Sequence, residues 1–147
     1  MIFFVLECNN YKILNDYTRN VAYSPQKHEE ESKSFACDND GSSRKDDWKG
    51  DGWYRFMAPA GTKLPETSTA APWGYCRTWG TGYLDGKHPT IPGELVNTHV
   101  CFNFNDSGYS LYCNHQRTAK VRHCGKYFVY FLKNLDCNYI KYRHCAE

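Results

Sequence analysis

Ala119-Lys120-Val121-Arg122-His123-Cys124 and Lys126-Tyr127-Phe128-Val129-Tyr130-Phe131-Leu132 flank the single residue Gly125. Both runs are rich in β-branched and aromatic residues and read as two strands joined at that glycine. Outward from them the same character recurs. Val100-Cys101-Phe102-Asn103-Phe104 alternates, with Val100, Phe102 and Phe104 on one face. Asn105-Asp106-Ser107-Gly108 then reads as a turn into Tyr109-Ser110-Leu111-Tyr112, a hairpin with Cys101 and Cys113 at its two ends. Trp53-Tyr54-Arg55-Phe56-Met57 after Gly52 is a further strand candidate, and residues 138–144 alternate up to Cys145. Residues 59–73 and 78–92 carry prolines and glycines and read as loop and turns. Residues 11–24 have a mixed apolar pattern, open to a hairpin or a short helical turn. No heptad, repeat or low-complexity tract interrupts this picture. The expected fold is mainly β: a small, disulfide-stapled single domain of short antiparallel strands with long loops.

Composition narrows the class. A chain of 147 residues suits one domain with a core of its own. Aromatics at 16% argue against disorder, which is usually poor in them. No apolar run approaches the length that spans a bilayer as a helix. A net charge of +2 gives no electrostatic case for nucleic acid as a partner.

Eight cysteines form the second strong signal: Cys8, Cys37, Cys76, Cys101, Cys113, Cys124, Cys137 and Cys145. They admit a metal site or a set of disulfides. No C-x-x-C occurs, and Cys113 with His115 and His123 with Cys124 lack zinc-site spacing. Disulfides in an oxidising, extracellular compartment are the stronger reading, although spacing alone cannot choose among 105 connectivities. The apolar run Ile2-Phe3-Phe4-Val5-Leu6 is short and stops at Glu7. Residues 1–7 therefore read as a signal-peptide remnant or as a first strand.

Several segments taken in order resemble one family. They are Ala36-Cys37-Asp38, Gly52-Trp53-Tyr54-Arg55-Phe56, Leu64-Pro65-Glu66, Tyr83-Leu84-Asp85-Gly86-Lys87-His88-Pro89, Val100-Cys101, Val121-Arg122-His123-Cys124 with Tyr127-Phe128-Val129-Tyr130, and Asp136-Cys137 through Cys145. Together they resemble the uromodulin-type eight-cysteine extracellular domain. Cys8-x-x-Tyr11-x-x-Leu14, with Arg19 soon after, resembles the β-hairpin that precedes that domain. The resemblance covers residues 8–145. It implies a cysteine-rich domain over 8–147, divided into an N-terminal hairpin (8–24), a polar loop (25–52) and a main body (53–145). Two family cysteines are missing, at Thr67 and at Asn114. The resemblance implies that those two bond to each other, so their joint loss leaves no orphan thiol. It further implies the pairs Cys8–Cys124, Cys37–Cys137, Cys76–Cys145 and Cys101–Cys113.

Chemistry-bearing motifs are few. No H-E-x-x-H, G-x-S-x-G or phosphate-binding loop is present, and a nucleophilic cysteine needs a free thiolate. No catalytic or metal-binding residue and no cofactor is expected. His88, in Gly86-Lys87-His88-Pro89, reads as structural. The acidic residues crowd into 25–52, where a solvated loop explains them. Asn105-Asp106-Ser107 is the one N-glycosylation sequon. The family's high-mannose glycan, which captures bacterial adhesins, would fall near residues 130–134, where no sequon exists. Residues 115–145 hold seven basic side chains against Asp136 alone, and Arg117, Lys120, Arg122 and Lys126 form a candidate binding face. Trp48, Trp73, Trp79 and Tyr83 are candidate aromatic contacts, with core packing the plainer role for most.

These features suit a non-enzymatic extracellular adhesion or recognition module of a secreted or membrane-anchored glycoprotein. Its partner would be an extracellular protein or glycan, with no nucleic acid and no membrane span in this chain. A stand-alone secreted lectin-like or innate-defence binder is the alternative.

Overall fold

A computed structural model describes residues 5–23, 35–39, 47–71, 74–103, 113, 115–138 and 141–147. Among these residues, seven strands form one sheet: β1 (Lys12–Leu14), β2 (Gly52–Phe56), β3 (Gly80–Leu84), β4 (Leu95–Asn103), β5 (Gln116–His123), β6 (Phe128–Leu132) and β7 (Tyr142–Arg143). Their spatial order is β1-β2-β6-β5-β4-β3-β7. The central pairs β2/β6, β6/β5, β5/β4 and β4/β3 are antiparallel. The outer pairs β1/β2 and β3/β7 are parallel. Among the described residues the helical elements are three-residue 3-10 turns, at Leu6–Cys8, Tyr17–Arg19 and Ser68–Ala70. The fold is mainly β, as the alternating and aromatic runs lead one to expect.

Alternation decides which face is buried. Successive strand residues point to opposite sides. Tyr54 and Phe56 of β2, Tyr130 and Leu132 of β6, Ala119 and Val121 of β5, and Val100 and Phe102 of β4 all lie on one side. They pack with Leu14, Trp48, Leu64, Leu84 and Leu135 into the main core. Trp48 stacks on Tyr54 at 4.6 Å and on His144 at 5.1 Å, which pins residues 47–52 across that core.

One local expectation differs from the structure. Residues 78–92 read as turns, yet Gly80–Leu84 form a fully buried strand. The glycines there serve close approach rather than turning. A Cβ on Gly82 would lie 2.7 Å from the Arg143 carbonyl oxygen, and one on Gly80 would overlap the Tyr142 ring. Residues 11–23 contain one strand, paired in parallel with β2, and one 3-10 turn. The C-terminus closes over this segment, with Ala146 N–H donating to the Arg19 carbonyl and Val21 N–H to the Ala146 carbonyl. In residues 1–7, Leu6 and Glu7 belong to a 3-10 turn, and 1–4 lie outside the described residues. Tyr109–Tyr112, the second half of the hairpin expected after β4, also lies outside them.

Candidate functional site

All eight cysteines are paired: Cys8–Cys124, Cys37–Cys137, Cys76–Cys145 and Cys101–Cys113. These are the pairs the family resemblance implies. Asp85 lies beside the Cys101 and Cys113 sulfurs. A disulfide has no thiolate to offer a metal, so that grouping has no coordinating chemistry.

The polar 25–52 stretch is not uniformly solvated. Asp38 is fully buried and holds Arg19, also fully buried, through two hydrogen bonds of 2.8 Å each. Arg19 donates further to Asp47 and to the His144 carbonyl. The Arg19 charge, together with its hydrogen bonds, holds the Asp38 carboxyl below its ordinary range despite the opposing effect of burial. Asp38 also accepts the His144 N–H at 2.8 Å. One ion pair thus ties the N-terminal segment, the stretch after Cys37 and the C-terminal strand together. Two signals in the sequence bore on it, Arg19 and Asp38 within family-like motifs, but nothing in the spacing joined them.

Glu66, His88 and Tyr130 form a chain of hydrogen bonds that runs from a partly exposed carboxylate to a fully buried phenol. Leu64 N–H donates to the Tyr130 oxygen at 3.2 Å. The Glu66 carboxylate can only accept, so His88 Nδ1–H donates to it at 2.8 Å; Nε2 of the neutral ring then accepts the Tyr130 O–H at 2.6 Å. The imidazole is neutral in this arrangement, with one nitrogen donating and one accepting. Burial pulls the His88 pKa down from its usual value, against the raising effect of Glu66. Burial also pushes the Tyr130 phenol up. The chain resembles a proton relay but ends in a tyrosine buried in the core, so its chemistry is that of a clasp between β6 and the loops 64–66 and 86–89.

The opposite face of the sheet is divided in two. Near its β5–β6 turn it is covered by the N-terminal segment. Glu7 pairs with Arg122 at 2.8 Å, and Arg122 also donates to the Gly93 carbonyl. Arg55 lies 3.8 Å over the Tyr127 ring and donates to the Tyr11 hydroxyl. Further along, the face is open among the described residues and forms a depression of about 390 Å³ across β4, β5 and β6. It is lined by Asn97, His99, Thr118, Lys120, Phe131 and Lys133, with Ala119 and Thr98 behind.

The four basic residues singled out in the sequence are therefore placed apart. Lys120 is in the depression. Arg122 shares its face but is engaged by Glu7. Arg117 alternates to the core side of β5, exposed near the strand start, and Lys126 is exposed in the turn after Gly125. Lys133, one residue past the end of β6, lines the depression beside Lys120 instead. Of the aromatic candidates, Trp48 and Tyr83 are buried, Trp79 is exposed and packs on Phe35 at 5.3 Å, and Trp73 lies outside the described residues. Asn105 of the sequon also lies outside them.

A mainly antiparallel sheet held by four disulfides, with no free thiol, defines a small domain of the oxidising extracellular class. The chain belongs to the uromodulin-like D8C domain family, whose model matches residues 54–146. It is 30% identical over 142 residues to the pancreatic secretory granule membrane major glycoprotein GP2 of Rattus norvegicus, covering 95% of this chain and 23% of that protein. The Canis lupus familiaris counterpart is 28% identical, with the same shares covered. Uromodulin of Rattus norvegicus is 28% identical over 133 residues, or 89% of this chain and 17% of that protein. The chain thus spans less than a quarter of the relatives it matches. No helix among the described residues is long and apolar enough to cross a membrane.

Proposed function

We propose that this domain is a non-enzymatic recognition and adhesion module of a secreted or membrane-anchored glycoprotein. The observation that carries this reading is the open half of the outer sheet face. There an aromatic ring, two lysines and amide and hydroxyl side chains line one depression, while the buried histidine and the buried ion pair serve the fold. Concave surfaces with a few convergent polar groups are the common form of binding sites. The family relationship to glycoproteins supports the same reading.

The test is an immobilised domain probed against extracellular glycans and proteins, with parallel assays for ester, peptide and glycoside hydrolysis. Saturable binding without turnover is expected. Turnover that co-purifies with the domain and disappears in a single-residue variant would overturn the reading. The length of the native secreted product separates the module from a stand-alone binder.

A further inference from the structure

We propose that the depression across β4, β5 and β6 binds a sulfated glycan chain. This deepens the recognition reading above and rests on it. Cross-strand register builds the surface: Asn97 is opposite Lys120, Lys120 opposite Phe131, and Phe131 opposite Trp53. Four outer-face side chains thus run as one row across four strands. In the next row His99 is opposite Thr118, and Lys133 donates to the Thr118 hydroxyl at 2.6 Å. Lys133 is two residues beyond Phe131, which sets the two lysines diagonally across the β5–β6 pair, about 7–8 Å apart at the backbone.

Charge identifies the occupant. The residues lining the depression include no carboxylate. Lys120 makes no ion pair among the described residues; its ammonium sits 5.9 Å from the Phe131 ring centroid. Lys133 uses one of three ammonium donors on Thr118 and keeps two. Elsewhere the guanidinium groups of Arg19 and Arg122 are each matched by a carboxylate. The depression is therefore a place where positive charge is left for a ligand. Its cations are lysines, compact point charges with rotatable donors that can serve an oxyanion from more than one direction. Phe131, half-buried and set edge-on to Trp53 at 5.7 Å, adds an apolar surface for the C–H face of a sugar ring. Asn97 and Thr118 can hydrogen-bond sugar hydroxyls. A neutral glycan would leave both ammonium groups without a counter-charge, and an acidic peptide would make no use of the ring.

The experiment is calorimetric titration of the whole chain with a heparin-derived hexasaccharide, its desulfated counterpart and a poly-glutamate peptide at physiological salt. Two charge-matched double variants are compared, Lys120→Gln with Lys133→Gln and Arg117→Gln with Lys126→Gln, along with Phe131→Leu. Thermal unfolding of each variant keeps loss of fold apart from loss of site. The sulfated probe should bind the native chain, and the Lys120/Lys133 variant should lose about tenfold in affinity. The Arg117/Lys126 variant should be unchanged, and Phe131→Leu should weaken binding without altering its salt dependence. Equal losses in both double variants would overturn the site, because the attraction would be diffuse. So would poly-glutamate binding as tightly as the sulfated probe, or no binding at all. A different ligand held equally by native chain and Lys120/Lys133 variant overturns this inference and leaves the recognition function standing; turnover overturns both.

Discussion

Nε2 of His88 lies 2.6 Å from the hydroxyl of Tyr130. Ionised Glu66 can only accept, so the imidazole proton sits on Nδ1 and points at it; Nε2 of the neutral ring is then an acceptor, and the Tyr130 proton points at it while the Tyr130 oxygen accepts the Leu64 N–H. One carboxylate thereby sets the tautomer of the histidine, and a buried phenol 42 positions away in the chain donates to its other nitrogen.

Tyr130→Phe keeps the ring in the core but removes the oxygen that serves both neighbours. The Leu64 N–H and His88 Nε2 would be left buried without it. A loss of about 1–3 kcal/mol is expected in urea denaturation, with the far-ultraviolet spectrum unchanged. A variant as stable as the native chain would show that water replaces the hydroxyl.

Stability should fall as the solution is acidified through the histidine range. His88 and His144 both have pKa values lowered from 6.5, each chiefly by burial. His144 Nε2 faces the Lys133 carbonyl and its Nδ1 has no partner, so a second proton would be buried without an acceptor. The unfolded chain takes up these protons near 6.5, and the folded chain only at lower pH. The unfolded state therefore binds more protons in that window, and stability rises with pH across it. The contribution is complete above 6.5 and is lost as pH drops toward the folded values. Denaturation midpoints that stay level from about pH 8 to about pH 5 would rule out neutral histidines in the fold.

Asp38→Asn leaves the Arg19 guanidinium buried and without its fully buried counter-charge, while Asp47 stays in place. Breaking a buried pair on one side costs about 3–5 kcal/mol, whereas replacing both partners by apolar residues costs far less. Arg19→Met combined with Asp38→Leu should therefore be more stable than Asp38→Asn alone. The order of the two melting temperatures decides it.

Gly82→Ala should destabilise the chain by about 1–3 kcal/mol. Its Cβ would meet the Arg143 carbonyl, a backbone atom that cannot rotate away, at 2.7 Å. Gly86→Ala is the contrasting case for space. A Cβ there meets nothing within 4 Å, so any cost comes from its φ of +119° alone. A variant at Gly82 that melts with the native chain would mean that β7 can move off β3.

Removing Cys101 and Cys113 together should cost about 3 kcal/mol, and removing Cys8 and Cys124 nearer 4.7, because the second bridge closes the longer loop. The sequence separations are 12 and 116. Full reduction should abolish cooperative unfolding, as followed by calorimetry. A sharp transition in reduced, alkylated protein would show that the core suffices without bridges.

Strands β2, β4, β5 and β6 are legible in the chain because each has neighbours on both sides and one buried face, which forces the apolar residues into alternation. Strand β3 is not legible. It is buried on every side, and its place beneath Tyr142 and the β7 backbone requires glycines, which locally read as turns. The composition of 25–52 points to solvent, and Asp38 and Asp47 depart from it because their common partner, Arg19, is 19 and 28 positions earlier.

By itself, then, the sequence determined the fold class, the oxidising compartment and, through its ordered motifs, the family. Short-range alternation and cysteine usage are local properties that need no knowledge of what packs on what. The tertiary structure alone decided which charges are free. Arg122 is neutralised by a carboxylate 115 positions away, while Lys120 on β5 and Lys133 just past the end of β6 are brought into one depression whose lining residues include no carboxylate. Charge pairing depends on distances in space, and sheet register, not chain order, sets those distances.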